Sequence, residues 1–265
     1  MRILWATDIH LNFVAPARVE SFIDKVRNCA PDCLLLGGDI GEADSLLGYL
    51  SRMEKALDRP IYFVLGNHDF YRGSIAGVRT AVARLVAQAP RLRWLSAEHA
   101  IALSEQTALI GHDSWADGRL GNFAGSSVEL NDFYLIEELR RLDKSARLAR
   151  MQALAEEAVA HFRSVLPQAL KRHQRIILLT HVPPFREASW HAGAISGSHW
   201  LPFFSCQVVG EVLKAIMLEH PHHELTVLCG HTHGSGRADV LPNLTVITGG
   251  AVYGDPKPQE PLEVP

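Results

Sequence analysis

No apolar run in the sequence approaches the ~18 residues that a membrane-spanning helix needs. The opening residues also lack the apolar stretch of a secretory leader: Ile3-Leu4-Trp5-Ala6 is followed at once by Asp8 and His10. Cysteine is scarce. Cys29, Cys33, Cys206 and Cys229 are scattered through 265 residues, which excludes a disulfide framework and fits reduced thiols in a cytosol. The C-x₃-C spacing of Cys29 and Cys33 has no second cysteine pair to complete a zinc site, so both read as small buried hydrophobes. There is no excess of charge of either sign. Lys and Arg number 26 against 29 Asp and Glu, a formal charge of −3, which argues against a nucleic-acid partner. Arg140, Lys144, Arg147 and Arg150, at near-helical spacing, read on that balance as a solvated helix face. The expectation is a cytoplasmic protein without a membrane partner.

What the sequence does have is an ordinary globular composition, 47% hydrophobic and 21% charged, which excludes low-complexity disorder for the bulk of the chain. Short apolar runs recur at 3–6, 33–36, 61–65, 108–110, 176–179, 225–229 and 244–247. Several are continuous rather than alternating, as in strands covered on both faces. Helical stripes separate the first three: Val19, Phe22, Ile23, Val26; then Leu46, Leu47, Leu50, Met53, Leu57; then Val78, Val82, Leu85, Val86. This alternation predicts an α/β protein whose first half holds a largely parallel sheet. Residues 100–112 read as a hairpin and 113–129 as loop. A helical insert is expected over 130–172, interrupted or restarted at Pro167. Residues 183–205 read as a long loop, and the Pro-rich tail 255–265 as poorly ordered. One domain is expected over 1–254.

The histidines matter by position. Five apolar runs are each followed by metal-ligand residue types: Thr7-Asp8-Ile9-His10, Gly37-Gly38-Asp39, Gly66-Asn67-His68-Asp69, Thr180-His181 and Gly230-His231-Thr232-His233. Ligands of open α/β sheets collect outside the carboxyl ends of the strands, so these residues are expected at one rim. In extended backbone, residues two apart point the same way, which would carry Asp8 with His10 and His231 with His233 into one site. Asp8, His10, Asp39, Asn67, His181, His231 and His233 offer seven N/O donors. That is too many for one tetrahedral zinc and suits two metals sharing a carboxylate. Two divalent ions against two carboxylates leave about two positive charges, enough to draw phosphate.

D-x-H, GD, GNHD, a lone His after a strand, and GHTH, in that order over residues 8–233, resemble the calcineurin-like metallophosphoesterase superfamily. The resemblance implies an αββα sandwich of two mixed sheets flanked by helices. It implies that Asp8, His10 and His233 bind one metal, Asn67, His181 and His231 the other, and that Asp39 bridges them. It implies attack on phosphorus by a hydroxide held between the metals, with His68 stabilising the transition state or protonating the leaving oxygen and Asp69 orienting His68. The cofactors would be two divalent transition metals, with Mn, Fe or Zn leading and Ni or Co also admitted by the mixed donor set. Ile40-Gly41-Glu42-Ala43 after Asp39 departs from the Y-V-D-R-G of protein serine/threonine phosphatases, and Glu42 stands where purple acid phosphatases carry their tyrosine ligand. The chain is therefore more similar to the bacterial small metallophosphoesterases, which include cyclic-nucleotide phosphodiesterases.

The expected reaction is hydrolysis of a phosphomonoester or phosphodiester. Cyclic-nucleotide hydrolysis and a non-catalytic scaffold of the same fold are the alternatives. The expected partner is a small phosphorylated substrate, nucleotides included. Trp115, Arg119, Trp190, His191, His199 and Trp200 lie in the two long loops and are the candidate substrate contacts, with Arg186 as a further phosphate holder. The competing expectation is that these aromatics form a satellite core.

Overall fold

The computed structural model describes residues 1–265. Its first half alternates strand and helix: β1 (Arg2–Ala6), α1 (Pro16–Asn28), β2 (Cys33–Gly37), α2 (Leu46–Leu57), β3 (Ile61–Val64), α3 (Ile75–Val86) and β4 (Leu92–Trp94). Local chemistry sets these boundaries. Pro16 opens α1 where its missing N–H is free of consequence. Ser74 caps α3 by accepting from the Gly77 N–H at 3.0 Å. The chain continues through β5 (Ile101–Ala102), β6 (Thr107–His112), α4 (Asp132–Leu135), α5 (Lys144–Leu170), β7 (Arg175–Thr180), β8 (Trp190–His191) and β9 (Ala194–Ile195). It ends with α6 (Leu201–Phe204), α7 (Gln207–Glu219), β10 (Glu224–Cys229), β11 (Gly236–Leu241), β12 (Leu244–Thr248) and β13 (Leu262–Glu263).

Two large sheets result. One runs β13-β1-β2-β3-β4, the other β11-β12-β10-β7-β6-β5. β1 to β4 are parallel to one another, as are β6, β7, β10 and β12, while β13, β5 and β11 close the edges antiparallel. Side-chain alternation then builds the layers. Ile3, Trp5, Cys33, Leu35 and Val64 of the first sheet meet Leu109, Ile177, Leu179 and Leu228 of the second in one buried cluster. The opposite faces, with Leu4, Leu34, Leu36, Phe63, Ile176, Leu178 and Val227, join the cluster that the helices cover. That is an αββα sandwich. No helix is long and apolar enough to cross a membrane.

Several expectations need correction. Pro167 lies inside α5 rather than ending it. It sits in the last turn, where burial of Val165, Leu166, Ala169 and Leu170 offsets the one missing hydrogen bond. The insert near 130–172 is one long helix preceded by the single turn α4. Two of the four basic residues read as a solvated face are engaged: Lys144 donates to the carbonyls of Ala124 and Ser126, and Arg147 pairs with Glu129 and lies over the Phe133 ring, while Arg140 is exposed. Residues 183–205 contain the β8–β9 hairpin and α6. The tail is built in: β13 pairs antiparallel with β1 and Val264 is buried. Proline there does not prevent pairing, because an edge strand needs donors on one side only.

Candidate metal centre

The carboxyl ends of β1, β2, β3, β7 and β10 converge on one seam, but the rim is shared by two sheets rather than belonging to one. The period-two expectation fails in its mechanism. Asp8 (φ 53°), His10 (40°), Asp39 (52°), His231 (70°) and His233 (60°) all adopt the left-handed conformation. Tight turns, not extended backbone, aim them inward. Such residues cost about 1–3 kcal/mol each unless the surroundings over-determine them. Here the turns are pinned across the seam. The Asp8 N–H donates to Gly38 O, the His10 N–H to Asp39 O at 2.9 Å, and the His231 N–H to the Asp8 carboxylate at 3.0 Å. Two glycines allow the approach. A Cβ at Gly66 would strike Asp39 and His181, and one at Gly230 would strike Thr7 and Asp8.

All seven candidate ligands are brought together, in two groups. Donor atoms of Asp8, His10, Asp39 and His233 lie within 4.8 Å of one another. His10 Nε2 and His233 Nε2 are 3.1 Å apart, and His10 Nε2 is 3.7 Å from Asp39 Oδ2. In the second group His181 Nε2 is 3.1 Å from both Asn67 Oδ1 and His231 Nδ1, and 3.5 Å from Asp39 Oδ1. Asp39 thus turns one oxygen to each group.

The hydrogen-bond chemistry fixes which atoms face inward. His181 Nδ1 donates to the Gly37 carbonyl at 2.8 Å, and His231 Nε2 donates to the Phe203 carbonyl at 2.9 Å. Each neutral ring therefore presents a lone pair from its other nitrogen. Burial, the largest cause, holds His10 and His231 well below the usual imidazole range and lowers His181 as well, which favours the neutral rings. Burial and the charge of Asp8 push the Asp39 carboxyl up. Asn67 Nδ2 donates to Asp132 Oδ1 at 2.8 Å, which turns its oxygen toward His181. Three lone pairs at 3.1 Å with no proton between them, beside a buried carboxylate, form a cavity chemistry that a cation satisfies. The residues fit two metals.

His68 faces the same space. Its Nε2 is 4.0 Å from Asp39 Oδ2, its ring stacks on Tyr71, and its Nδ1 is buried without a partner. Asp69 does not orient it. The fully buried Asp69 carboxylate accepts from the N–H groups of Ile40 and Gly41 at 2.9 Å through one oxygen, and from Gly66 through the other. It ties the Asp39 loop to the Asn67 loop. Asp69→Asn would turn an amide NH₂ toward one of these N–H groups. It is expected to lower stability by about 2 kcal/mol or more and to weaken metal binding at both groups. Thermal melts and elemental analysis check this. Unchanged melting and metal content would return Asp69 to the role of His68's partner.

A cleft of about 250 Å³ opens beside the donors, lined by His68, His191, Trp200, Phe204 and Tyr253 among others. Of the candidate substrate contacts only His191 and Trp200 reach it. Trp115 is buried against Phe70, and Arg119 is held by Asp117 and Glu156. Trp190 covers Gly236 and, with Arg186, lines a separate groove, while His199 is exposed. Sequence reasoning missed Tyr71 and Asp132, which share a 2.6 Å hydrogen bond behind Asn67, and Tyr253, whose ring lies 4.4 Å from that of His10. Asp132 sits 65 residues beyond Asn67 in a stretch that reads only as helix, and nothing near Tyr253 signals chemistry.

Two mixed sheets with an Asp/His cluster at their shared carboxyl rim define a metallophosphoesterase site on the metallo-dependent phosphatase fold. The profile of the calcineurin-like phosphoesterase family matches residues 1–235, and the chain belongs to that family. Its fold is similar to that of the phosphopantetheinyl hydrolase PptH from Mycobacterium tuberculosis, with a TM-score of 0.69 and 14% identity over 94% of this chain and 89% of that one. It is also similar to a dimetal phosphatase from Danio rerio (TM-score 0.60, 14% identity, 96% and 88% covered). A third similar structure is the protein TT1561 of Thermus thermophilus (TM-score 0.53, 16% identity, 94% and 88% covered). No curated protein matches the chain by sequence.

Proposed function

We propose that this protein is a dinuclear metal-dependent phosphoesterase that hydrolyses a phosphomonoester or phosphodiester. The observation that carries the reading is the pair of donor groups joined through the two oxygens of Asp39 beside an open cleft. Asp8, His10 and His233 would hold one ion and Asn67, His181 and His231 the other. When bound, divalent metals there supply Lewis acidity toward the phosphoryl oxygens and a nucleophilic water at neutral pH. The chain's own residues do the rest. Gly37 and Phe203 carbonyls fix the ligand tautomers, Asp132 fixes the Asn67 amide, and His68 lines the cleft with an Nδ1 that has no hydrogen-bond partner. Mixed imidazole, carboxylate and amide donors admit Mn, Fe, Zn, Ni or Co.

Stripping and restoring the metals tests this. Chelation should abolish hydrolysis of aryl phosphate esters and lower the melting temperature. Each site saturated to ~100 times its Kd contributes about 2.7 kcal/mol, so two sites should move the midpoint by roughly 10 °C or more. Readdition of one of the five metals should restore both. Protein that binds two metals and turns over no phosphate ester would be a scaffold, and the proposal would fail.

A further inference from the structure

The cleft is as informative for what it lacks. No lysine or arginine lines it. Arg72 pairs with Glu42 at 3.2 Å and Lys144 donates to two loop carbonyls, while Lys257, paired with Asp255 at 2.6 Å, lines a separate cavity on the far side of Asp8 and His233. A phosphomonoester dianion brings three peripheral oxygens and nearly two charges, and a cleft that selects it over a diester gains from a cationic side chain beside the metal site. A phosphodiester brings two such oxygens and one charge. Its third oxygen carries a second organic group, which needs an apolar wall instead.

The cleft supplies that wall. Trp200 stacks on Phe204 with centroids 5.2 Å apart at 27°, and His191 lies parallel to Trp200 at 6.3 Å. Phe204 meets His231 edge-on, which sets this aromatic wall beside the second donor group. Trp200 nevertheless remains 42% exposed, although it has stacking partners behind it. His68 lies at the other donor group, 4.6 Å from His10. The cleft therefore has a hydrogen-bonding end at His68 and a flat apolar end at Trp200.

We propose that the substrate is a phosphodiester of single negative charge, with its departing alcohol toward His68 and its retained ester group against Trp200 and Phe204. This rests on the phosphoesterase reading above. In the reaction a water oxygen bonds to phosphorus and the P–O bond to the departing alcohol breaks. One water proton ends on that alcohol, and the product is a phosphomonoester that the cationless cleft releases.

Matched nitrophenyl esters test it, using the full-length protein loaded with two metals. Bis(4-nitrophenyl) phosphate and 4-nitrophenyl phosphate share a leaving group and differ in the second ester. The expected result is at least ~10²-fold higher kcat/KM for the diester, with one equivalent of nitrophenolate released and 4-nitrophenyl phosphate left in solution. Trp200→Ala should lose roughly 10-fold or more on the bis-aryl ester, the effect of one missing stacking partner. On methyl 4-nitrophenyl phosphate, which has nothing to stack, the loss should be at most a few-fold. Equal or faster hydrolysis of the monoester overturns the diester assignment and leaves the phosphoesterase reading intact. A similar loss on both diesters overturns the role of Trp200. Hydrolysis of none of the three esters overturns both readings together.

Discussion

Asp39→Asn should strip the protein of its paired metal binding and reduce turnover by ~10³-fold or more. Asp39 is the one carboxylate with an oxygen turned to each donor group, Oδ2 3.7 Å from His10 Nε2 and Oδ1 3.5 Å from His181 Nε2. The amide keeps the shape and one acceptor oxygen, so the His68 N–H that Asp39 Oδ1 accepts at 2.8 Å can remain bonded and the fold should survive. It cannot keep the charge, nor present two anionic oxygens. Charge stabilisation by a metal is worth several kcal/mol, and about 4 kcal/mol corresponds to ~10³ in rate. The metal-free variant should melt no lower than the metal-free parent, because the neutral amide removes a carboxylate that burial and Asp8 already disfavour. Adding metal should then raise the parent's midpoint far more than the variant's. Two tightly held ions and near-normal turnover in Asp39→Asn would sink the bridging assignment.

The contrast between fold and site shows what periodicity carries. The alternation of continuous apolar runs with helical stripes was legible because burial on both faces demands it, as in β2, where all five residues are buried. The strands that escaped are short or lie at edges: β4 has three residues, β11 reads Gly-Arg-Ala-Asp-Val-Leu, and β13 follows a run of prolines. Edge strands bury one side only and need little apolar sequence. The donor residues were legible because each follows a strand directly. Their geometry was not. Left-handed φ at Asp8, His10, Asp39, His231 and His233 leaves no mark in sequence when the residue is not glycine.

The residues behind the donors were harder still. Asp69 stands beside His68, and adjacency suggested partnership. Its three N–H donors instead come from Ile40, Gly41 and Gly66, and two of those lie about 30 residues away on another strand's loop. Asp132 and Tyr71 orient Asn67 from α4 and the turn after β3. No local pattern encodes a contact that only the seam of the two sheets creates.

His68→Ala should retain both metals and lose activity in a way that depends on the leaving group. The backbone N–H that bonds Asp39 is untouched by the substitution, and no donor atom of either metal group belongs to the His68 ring. Burial, helped by His181 and His233, pushes the ring pKa down to about 3. The folded value lies below the ordinary 6.5, so above pH 5 the ring is neutral. On the proposed reading it would then donate a hydrogen bond to the departing oxygen rather than act as an imidazolium acid. A donor aimed at developing negative charge is worth ~10²–10³ in rate. An alkoxide or ribose oxygen needs that bond, whereas nitrophenolate leaves with little help. The expected loss is therefore ~10²-fold or more on alkyl and nucleoside esters and much smaller on nitrophenyl esters. The kcat/KM profiles of parent and variant should run parallel between pH 5 and 8. A fall on the alkaline side present only in the parent, marking loss of the ring's proton, would show that the ring acts charged. An equal loss on both ester classes would place His68 on the phosphoryl oxygens, and loss of a metal would make it a ligand.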